Sequence, residues 1–112
     1  MTELRDRRCK PCEGGVEPLT PEKAAQLAEQ LDAQWRIDAD GRALRRAYRF
    51  KNFYHAIGFV NAVAYIANSE DHHPDLEVGY DYCRVKFTTH AIGGLSDNDF
   101  ICAAKIDALT GS

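Results

Sequence analysis

The sequence predicts a single α+β domain: a small antiparallel four-stranded sheet with three helices packed on one face, in the order α-β-β-α-β-β-α. Two observations lead to this fold class. Apolar residues recur at helical spacing in three segments, and pairs of short alternating segments lie between them. The length of 112 residues corresponds to one domain.

The first part of the chain predicts an irregular leader. Residues 1–19 contain a cluster of turn-forming residues: Pro11, Gly14, Gly15 and Pro18. They also contain a C-x-x-C pair, Cys9 and Cys12. We interpret this pair as part of an ordinary leader, with a metal or redox role as the alternative, because no second pair follows at zinc-finger spacing. The folded domain is expected over residues 20–112.

The first helix is predicted to begin at Thr20, whose hydroxyl can cap the first turn, and at Pro21, whose missing amide a first turn does not need. Its apolar stripe consists of Ala24, Leu27, Ala28 and Leu31. A short strand is predicted at residues 35–38, and Asp40 with Gly41 is typical of the hairpin turn that would follow it.

The second predicted strand alternates between two faces. One face carries Leu44, Arg46, Tyr48 and Phe50, and the other carries Ala43, Arg45, Ala47 and Arg49. Five basic residues lie between positions 42 and 51. We interpret them as a solvated strand face, with an anion-binding patch as the alternative.

A second helix is predicted over residues 52–69, the longest uncharged stretch, with Asn52 as its N-cap. Its apolar residues occupy one face (Phe53, Ile57, Val60, Ala64) and the flank (Phe59, Ala62, Val63, Ile66). One sheet covers only one side of such a helix. A homo-oligomer is therefore expected, in which a second copy covers the outer side of the helix or, as the alternative, two sheets join edge to edge. A charge at Phe59 or Val63 should disrupt the helix contact unless that position faces its own sheet.

Two more strands are predicted at residues 75–80 and 82–89, and a third helix is predicted to begin at Ser96 and end before Gly111. The 14 basic and 17 acidic residues give a net charge of −3, which disfavours binding to nucleic acid. The polar residues within the uncharged stretch argue against a membrane span. Four cysteines without a secretory signal at the start of the chain predict reduced thiols and a cytoplasmic protein.

Three of the four histidines, His72, His73 and His90, lie within nineteen residues. Pro74 favours extended backbone at His73, so the two adjacent imidazoles should point to opposite sides. His90 follows the strand that is expected to return beside them. Because imidazole is well suited to proton transfer near neutral pH, the cluster predicts a general acid–base site.

The chain reads His72-His73-Pro74, five residues, Tyr80, nine residues, His90, eight residues and Asp99. This pattern resembles the signature of the pterin-4a-carbinolamine dehydratase family. The resemblance implies removal of water from 4a-hydroxytetrahydrobiopterin to give the quinonoid dihydropterin, which recycles the pterin cofactor of aromatic amino acid hydroxylases.

The resemblance also implies a homodimer or homotetramer, and it implies the site residues. The catalytic residues would be His72, His73 and His90, acting without a bound cofactor or metal. His72 and His90 are the candidate proton-transfer pair, and His73 either contacts the pterin or acts as the complementary base. The implied substrate-binding residues are Pro74, Thr89, Ala91 and Asp99.

Some positions allow a second interpretation. The family often has an acidic residue four positions before the first histidine, where this chain has Asn68, and Glu70 or Asp71 could replace it. Asp99 follows Ser96 by three residues, which is typical of a capping box.

Two other functions remain as alternatives. One is a metal-dependent hydrolase with a three-histidine site. The other is a protein-interaction or coactivator module in which the dehydratase activity is vestigial.

Tyr80 either contacts the ligand or is an ordinary core residue of its strand.

Overall fold

The order of helices and strands is the predicted one. The computed structural model describes residues 3–11, 14 and 16–111. The helices are α1 (Pro21–Ala28), α2 (Phe53–Glu70) and α3 (Asp97–Thr110), and the strands are β1 (Arg36–Ile37), β2 (Leu44–Arg49), β3 (Asp75–Val78) and β4 (Tyr82–Phe87). Two single-turn 3-10 helices lie at Leu4–Asp6 and His90–Ile92.

All four strands pair antiparallel in one sheet, in the order β1-β2-β4-β3. α2 connects β2 to β3 at the edge, and β4 then returns between these two strands. The alternation along β2 and β4 buries one face of the sheet, which carries Leu44, Arg46, Tyr48, Cys83, Val85 and Phe87. The predicted α+β class is confirmed.

The strands are shorter than the sequence predicts because turns begin earlier. β3 ends at Val78, where the amide of Gly79 donates to the carbonyl of Tyr82 at 3.0 Å. A Cβ at position 79 would overlap the Tyr82 ring, so any other residue there would force that ring to move. Beyond β4, Thr89 pairs with Gly94 in an isolated bridge and does not extend the strand.

Side-chain caps fix the starts of all three helices. Thr20 Oγ1 and Asn52 Oδ1 each accept from the backbone amide three residues further on, at 3.2 and 3.1 Å. Ser96 and Asp99 form a reciprocal capping box at the start of α3. These caps confirm the predicted helix starts at residues 20, 52 and 96.

α2 packs on the sheet through Ala56, Phe59, Val63 and Ala67. Phe59 and Val63 both lie in the chain's own core, so the exception made for these two positions applies and a charge there does not probe an assembly. The outer side of the helix leaves Tyr54 and Tyr65 85% and 74% exposed. Among the described residues, no helix has the combined length and apolar character that a membrane span requires.

Arg46 is buried, which corrects the interpretation of the whole basic run as a solvated face. Arg46 Nη1 and Trp35 Nε1 both donate to Asp107 Oδ1, at 2.9 and 2.8 Å. Asp107 Oδ2 accepts from the amide of Asp32 at 2.9 Å. This network ties α3 to β2 and to the loop before β1.

We predict that Asp107→Ala lowers the free energy of unfolding by about 3–5 kcal/mol, because it leaves the Arg46 guanidinium buried without its closest carboxylate. Urea denaturation measures the loss. The matched control is Asp38→Ala, which removes the partner of the exposed Arg45 and should cost no more than about 1 kcal/mol. Equal losses in the two variants would contradict the buried-pair argument.

Candidate active site

A pocket of about 600 Å³ lies where the end of α2, the segment after β4 and the leader meet. His72, His73 and His90 all line it. The other lining residues are 8–11, 69–71, 88, 89, 91 and 98. A depression of similar size on the open face of the sheet has neither histidine nor cysteine among its lining residues. The histidine pocket is therefore the candidate active site.

The end of α2 sets the positions of the two adjacent histidines. Asp71 takes a left-handed conformation (φ 52°), and the amide of His72 donates back to the carbonyl of Ala67 at 3.1 Å. The His72 side chain is 12% exposed, and its ring lies parallel to that of Phe87 at 6.1 Å. His73 is exposed. The two neighbours thus have different surroundings.

Asp99 is fully buried behind His72. Its Oδ1 lies 2.6 Å from His72 Nε2, and its Oδ2 accepts from Thr89 Oγ1 at 2.8 Å and from the amide of Ser96 at 3.0 Å. Asp99 therefore caps α3 and contacts a histidine at the same time. A carboxylate only accepts, so Nε2 of His72 donates, and the neutral imidazole has Nδ1 free to accept a proton.

The turn after β4 carries the third histidine into the pocket. The amide of Thr89 donates to the carbonyl of Gly94 at 2.9 Å, which closes a loop around the 3-10 turn His90–Ile92. Gly93 ends that turn in a left-handed conformation (φ 67°). His90 and Ala91 lie exposed on the pocket side of this loop.

Three of the residues singled out in the sequence do not line the pocket. Tyr80 is 67% exposed and stacks on Phe53 at 6.5 Å. Pro74 and Asp99 are also absent from the pocket wall. Asp99 still touches the pocket indirectly, through His72.

The position that is often acidic in the family is occupied by Asn68, and its Oδ1 lies 3.0 Å from His73 Nε2. An amide oxygen thus partners this imidazole where a carboxylate was expected. Glu70 turns away from the histidines: its Oε1 accepts from the amide of Cys9 at 2.8 Å, and its Oε2 lies 3.1 Å from Arg8 Nε. Burial opposes ionisation of Glu70, but the Cys9 amide and the nearby Lys105 and Arg8 outweigh it and lower the Glu70 pKa.

Sequence reasoning missed the contribution of the leader to this pocket. Residues 8–11 line it, and Leu4 is buried in the core. The partners of these residues lie about 60 to 90 positions away along the chain, so no local periodicity signals the contact. The partner residue Asn98 was missed for the same reason.

Of the C-x-x-C pair, the structure describes Cys9, and Cys12 lies outside the described residues. Cys9 Sγ lies 3.6 Å from Cys102 Sγ, and the hydrogen bond with Cys9 together with burial raises the Cys102 pKa. Within residues 3–11, 14 and 16–111, no group of three His, Cys, Asp or Glu side chains is arranged to hold a metal ion. The three-histidine metal hydrolase therefore gains no support from the geometry.

The fold and the pocket together define a small α+β domain with a histidine site suited to proton transfer. The family model for pterin 4 alpha carbinolamine dehydratase matches residues 17–109. The chain belongs to this family, and the resemblance found in the sequence is confirmed.

Relatives align over nearly the whole chain. A protein of Nitrosomonas eutropha, provisionally named a pterin-4-alpha-carbinolamine dehydratase, is 60% identical over 97% of this chain and 95% of its own length. A protein of Legionella pneumophila with the same provisional name is 55% identical over 96% of both chains.

Solved structures share the fold. A transcriptional coactivator/pterin dehydratase from Brucella melitensis superposes with a TM-score of 0.77 at 30% identity, covering 83% of this chain and 98% of that one. A pterin dehydratase-like protein identified as a RuBisCO assembly factor in the alpha-carboxysome gives a TM-score of 0.61 at 24% identity, covering 70% and 92%. At that identity the second likeness shows the fold alone.

We predict that Glu70→Gln weakens the acid sensitivity of the fold. Because the folded pKa of Glu70 lies below its unfolded value of about 4.5, its stabilisation is present above that value and is lost as pH falls through the folded pKa. Urea midpoints at pH 7 and in acid should therefore differ less in Glu70→Gln than in the parent protein. Glu77→Gln, at an exposed ion pair with Arg84, is the control and should leave the difference unchanged.

Proposed function

We propose that the protein dehydrates 4a-hydroxytetrahydrobiopterin to the quinonoid dihydropterin and water by general acid–base catalysis. The observation that carries the proposal is the contact of His72 Nε2 with the buried Asp99 carboxylate at 2.6 Å. This pair borders a pocket that His73 and His90 also line, in a member of the dehydratase family.

The reaction needs two proton transfers and no electron transfer. A base takes the proton from N5, an acid protonates the 4a-hydroxyl, the C4a–O bond breaks, and a C4a–N5 double bond forms. Protonation lets the hydroxyl leave as water. Each positioned acid or base typically contributes about 10²- to 10⁴-fold, so two imidazoles supply the required chemistry.

The roles of the histidines follow from their surroundings. His72 is the proposed base: its Nδ1 accepts the N5 proton, and the Asp99 carboxylate at Nε2 stabilises the imidazolium that forms. His90 is the proposed acid, and its exposure lets it regain a proton from water. His73, whose Nε2 is partnered by Asn68, is the proposed pterin contact.

The remaining site residues divide into contact and positioning roles. Thr89 and Ala91 line the pocket and are the proposed substrate contacts. Asp99 acts through His72, and Pro74 holds the backbone extended beside His73. These last two are positioning residues.

Catalytic amounts of the protein should speed the decay of the 4a-carbinolamine, followed by absorbance during tetrahydropterin turnover. His72→Ala and His90→Ala should each lower kcat/KM by at least about ten-fold, which is about 1.4 kcal/mol of transition-state stabilisation. The double variant should lose less than the two losses combined, because both groups serve one proton-transfer scheme. Histidine at position 55, exposed on α2, is the matched control, and His55→Ala should keep full activity.

An inert parent protein would refute the proposed reaction. Near-normal turnover in both single variants would refute the assignment of the histidines.

The proposed setting is the cytoplasm, where the reaction would recycle the pterin of an aromatic amino acid hydroxylase. The thiols of Cys9, Cys83 and Cys102 are unpaired, which suits a reducing compartment. Coupling to the hydroxylase would be functional: the dehydratase consumes the carbinolamine that the hydroxylase releases.

We also propose that the protein is a homodimer or homotetramer that covers the outer side of α2. Phe53, Tyr54 and Tyr65 on α2 are 49%, 85% and 74% exposed, and Tyr80 extends the same aromatic surface by stacking on Phe53. Exposed apolar surface of this kind often marks a site of protein–protein contact. A second copy of the same helix would cover it symmetrically.

Tyr65→Glu should split this assembly, because it places a charge on the exposed aromatic surface of α2. Light scattering should give a multiple of 12.5 kDa for the parent protein and 12.5 kDa for the variant. Ala25→Glu, an exposed position on α1, is the control and should stay assembled. A monomeric parent protein, or a folded Tyr65→Glu variant that remains assembled, would contradict the helix interface.

A further inference from the structure

The leader borders the candidate active site along residues 8–11, which we name the leader wall. It faces the pocket that the three histidines line. The family match begins only at residue 17, so the wall lies outside the part of the chain that defines the family. The alignment with the Nitrosomonas eutropha relative, by contrast, omits at most three residues of this chain and includes the wall.

One anchor of the wall lies at the end of α2. The Glu70 carboxylate, only 6% exposed, accepts from the amide of Cys9 at 2.8 Å and pairs with Arg8. Arg8 also donates to the carbonyl of Ser69 at 3.3 Å. The wall is thus joined to the end of α2, two residues before His72.

The second anchor lies at the start of α3. The amide of Lys10 donates to Asn98 Oδ1 at 3.0 Å, and Asn98 Nδ2 donates to the carbonyl of Lys10 at 2.6 Å. One buried carboxamide therefore satisfies both main-chain groups of Lys10, as a neighbouring strand would. Asn98 directly precedes Asp99. Two consecutive residues of α3 therefore hold the wall and contact His72.

A contact between two cysteine sulfur atoms joins the wall to α3 as well. Cys9 Sγ lies against Cys102 Sγ at 3.6 Å and 3.7 Å from the carbonyl of Asn98. Ordering an irregular terminal segment costs conformational entropy, and these contacts offset that cost. A segment fixed in this way presents a constant surface to whatever occupies the pocket.

We propose that the leader wall is a substrate-binding element of this dehydratase and that Asn98 is the positioning residue that holds it. The inference rests on the proposed function. The wall fixes how tightly the reduced pterin fits, and the histidines perform the proton transfers. Loss of the wall's position should therefore raise KM and leave kcat nearly unchanged.

Two variants remove the Asn98 anchor from opposite sides. Asn98→Ala removes the carboxamide, and Lys10→Pro removes the Lys10 amide proton without changing any residue of α3. Each should raise KM about ten-fold, with kcat within about three-fold of the parent value. Lys23→Ala, at an exposed position on α1 outside the pocket wall, is the control, with KM expected within about two-fold of the parent value.

A binding measurement gives a readout independent of turnover. In a Cys12→Ser background, a stable 7,8-dihydropterin should slow alkylation of Cys9 by iodoacetamide, because Cys9 is a residue of the pocket wall. Mass spectrometry of the Cys9 peptide measures the alkylation. Adding Asn98→Ala or Lys10→Pro should speed alkylation in the absence of ligand and weaken the dihydropterin affinity about ten-fold.

The outcomes separate this inference from the proposed function. If both variants fold and keep an unchanged KM and dihydropterin affinity, the substrate-binding role of the wall is overturned. This holds even if the parent protein is an active dehydratase. A fall in kcat alone also overturns it, since Asn98 would then act through Asp99. Weakened dihydropterin binding in both variants of an inert parent protein supports the wall and refutes the dehydratase activity.

Discussion

The site depends on the buried carboxylate of Asp99. A carboxylate without solvent needs several donors, and Asp99 takes one from each of three segments: the His72 imidazole after α2, the Thr89 hydroxyl after β4, and the Ser96 amide before α3. The same requirement that keeps the buried charge stable brings those segments together. The pocket is the space left on their outer side.

α3 carries a second buried carboxylate eight residues further on, Asp107, with a different task. It binds Arg46 of β2 and Trp35 of the loop before β1, so it fixes the helix to the sheet. One end of α3 thus organises the chemistry and the other end organises the core. This explains why the helix is buried on most of its surface and shows no clear division into apolar and polar sides.

The features that could be predicted from the sequence are local in the chain. Thr20, Asn52 and Ser96 cap helices through bonds that span two or three residues, and the histidine spacing directly identifies the family. The features that escaped prediction depend on distant partners. Arg46 shares the buried face of Leu44 and Tyr48, but a charge there predicts burial only if a partner is known, and Asp107 lies sixty-one positions away.

α2 shows the same limit in another form. Its apolar residues surround the helix, so the periodicity could not distinguish the side that meets the sheet from the side that stays exposed. The packing of α2 against the rest of the fold decides this, and it places Phe59 and Val63 in the core. For the candidate site, the spacing located the three histidines in one pocket but was silent on the wall opposite them.

The anchoring of the leader wall has a consequence for biogenesis. The ribosome makes residues 8–11 about ninety positions before Asn98 and Cys102, their partners on α3. Contacts between residues about ninety positions apart also form slowly. The chain must lose the entropy of closing a long loop before these contacts can stabilise it. The pocket is therefore completed only after α3 has been synthesised, and until then the histidines lie beside a binding surface that is not closed.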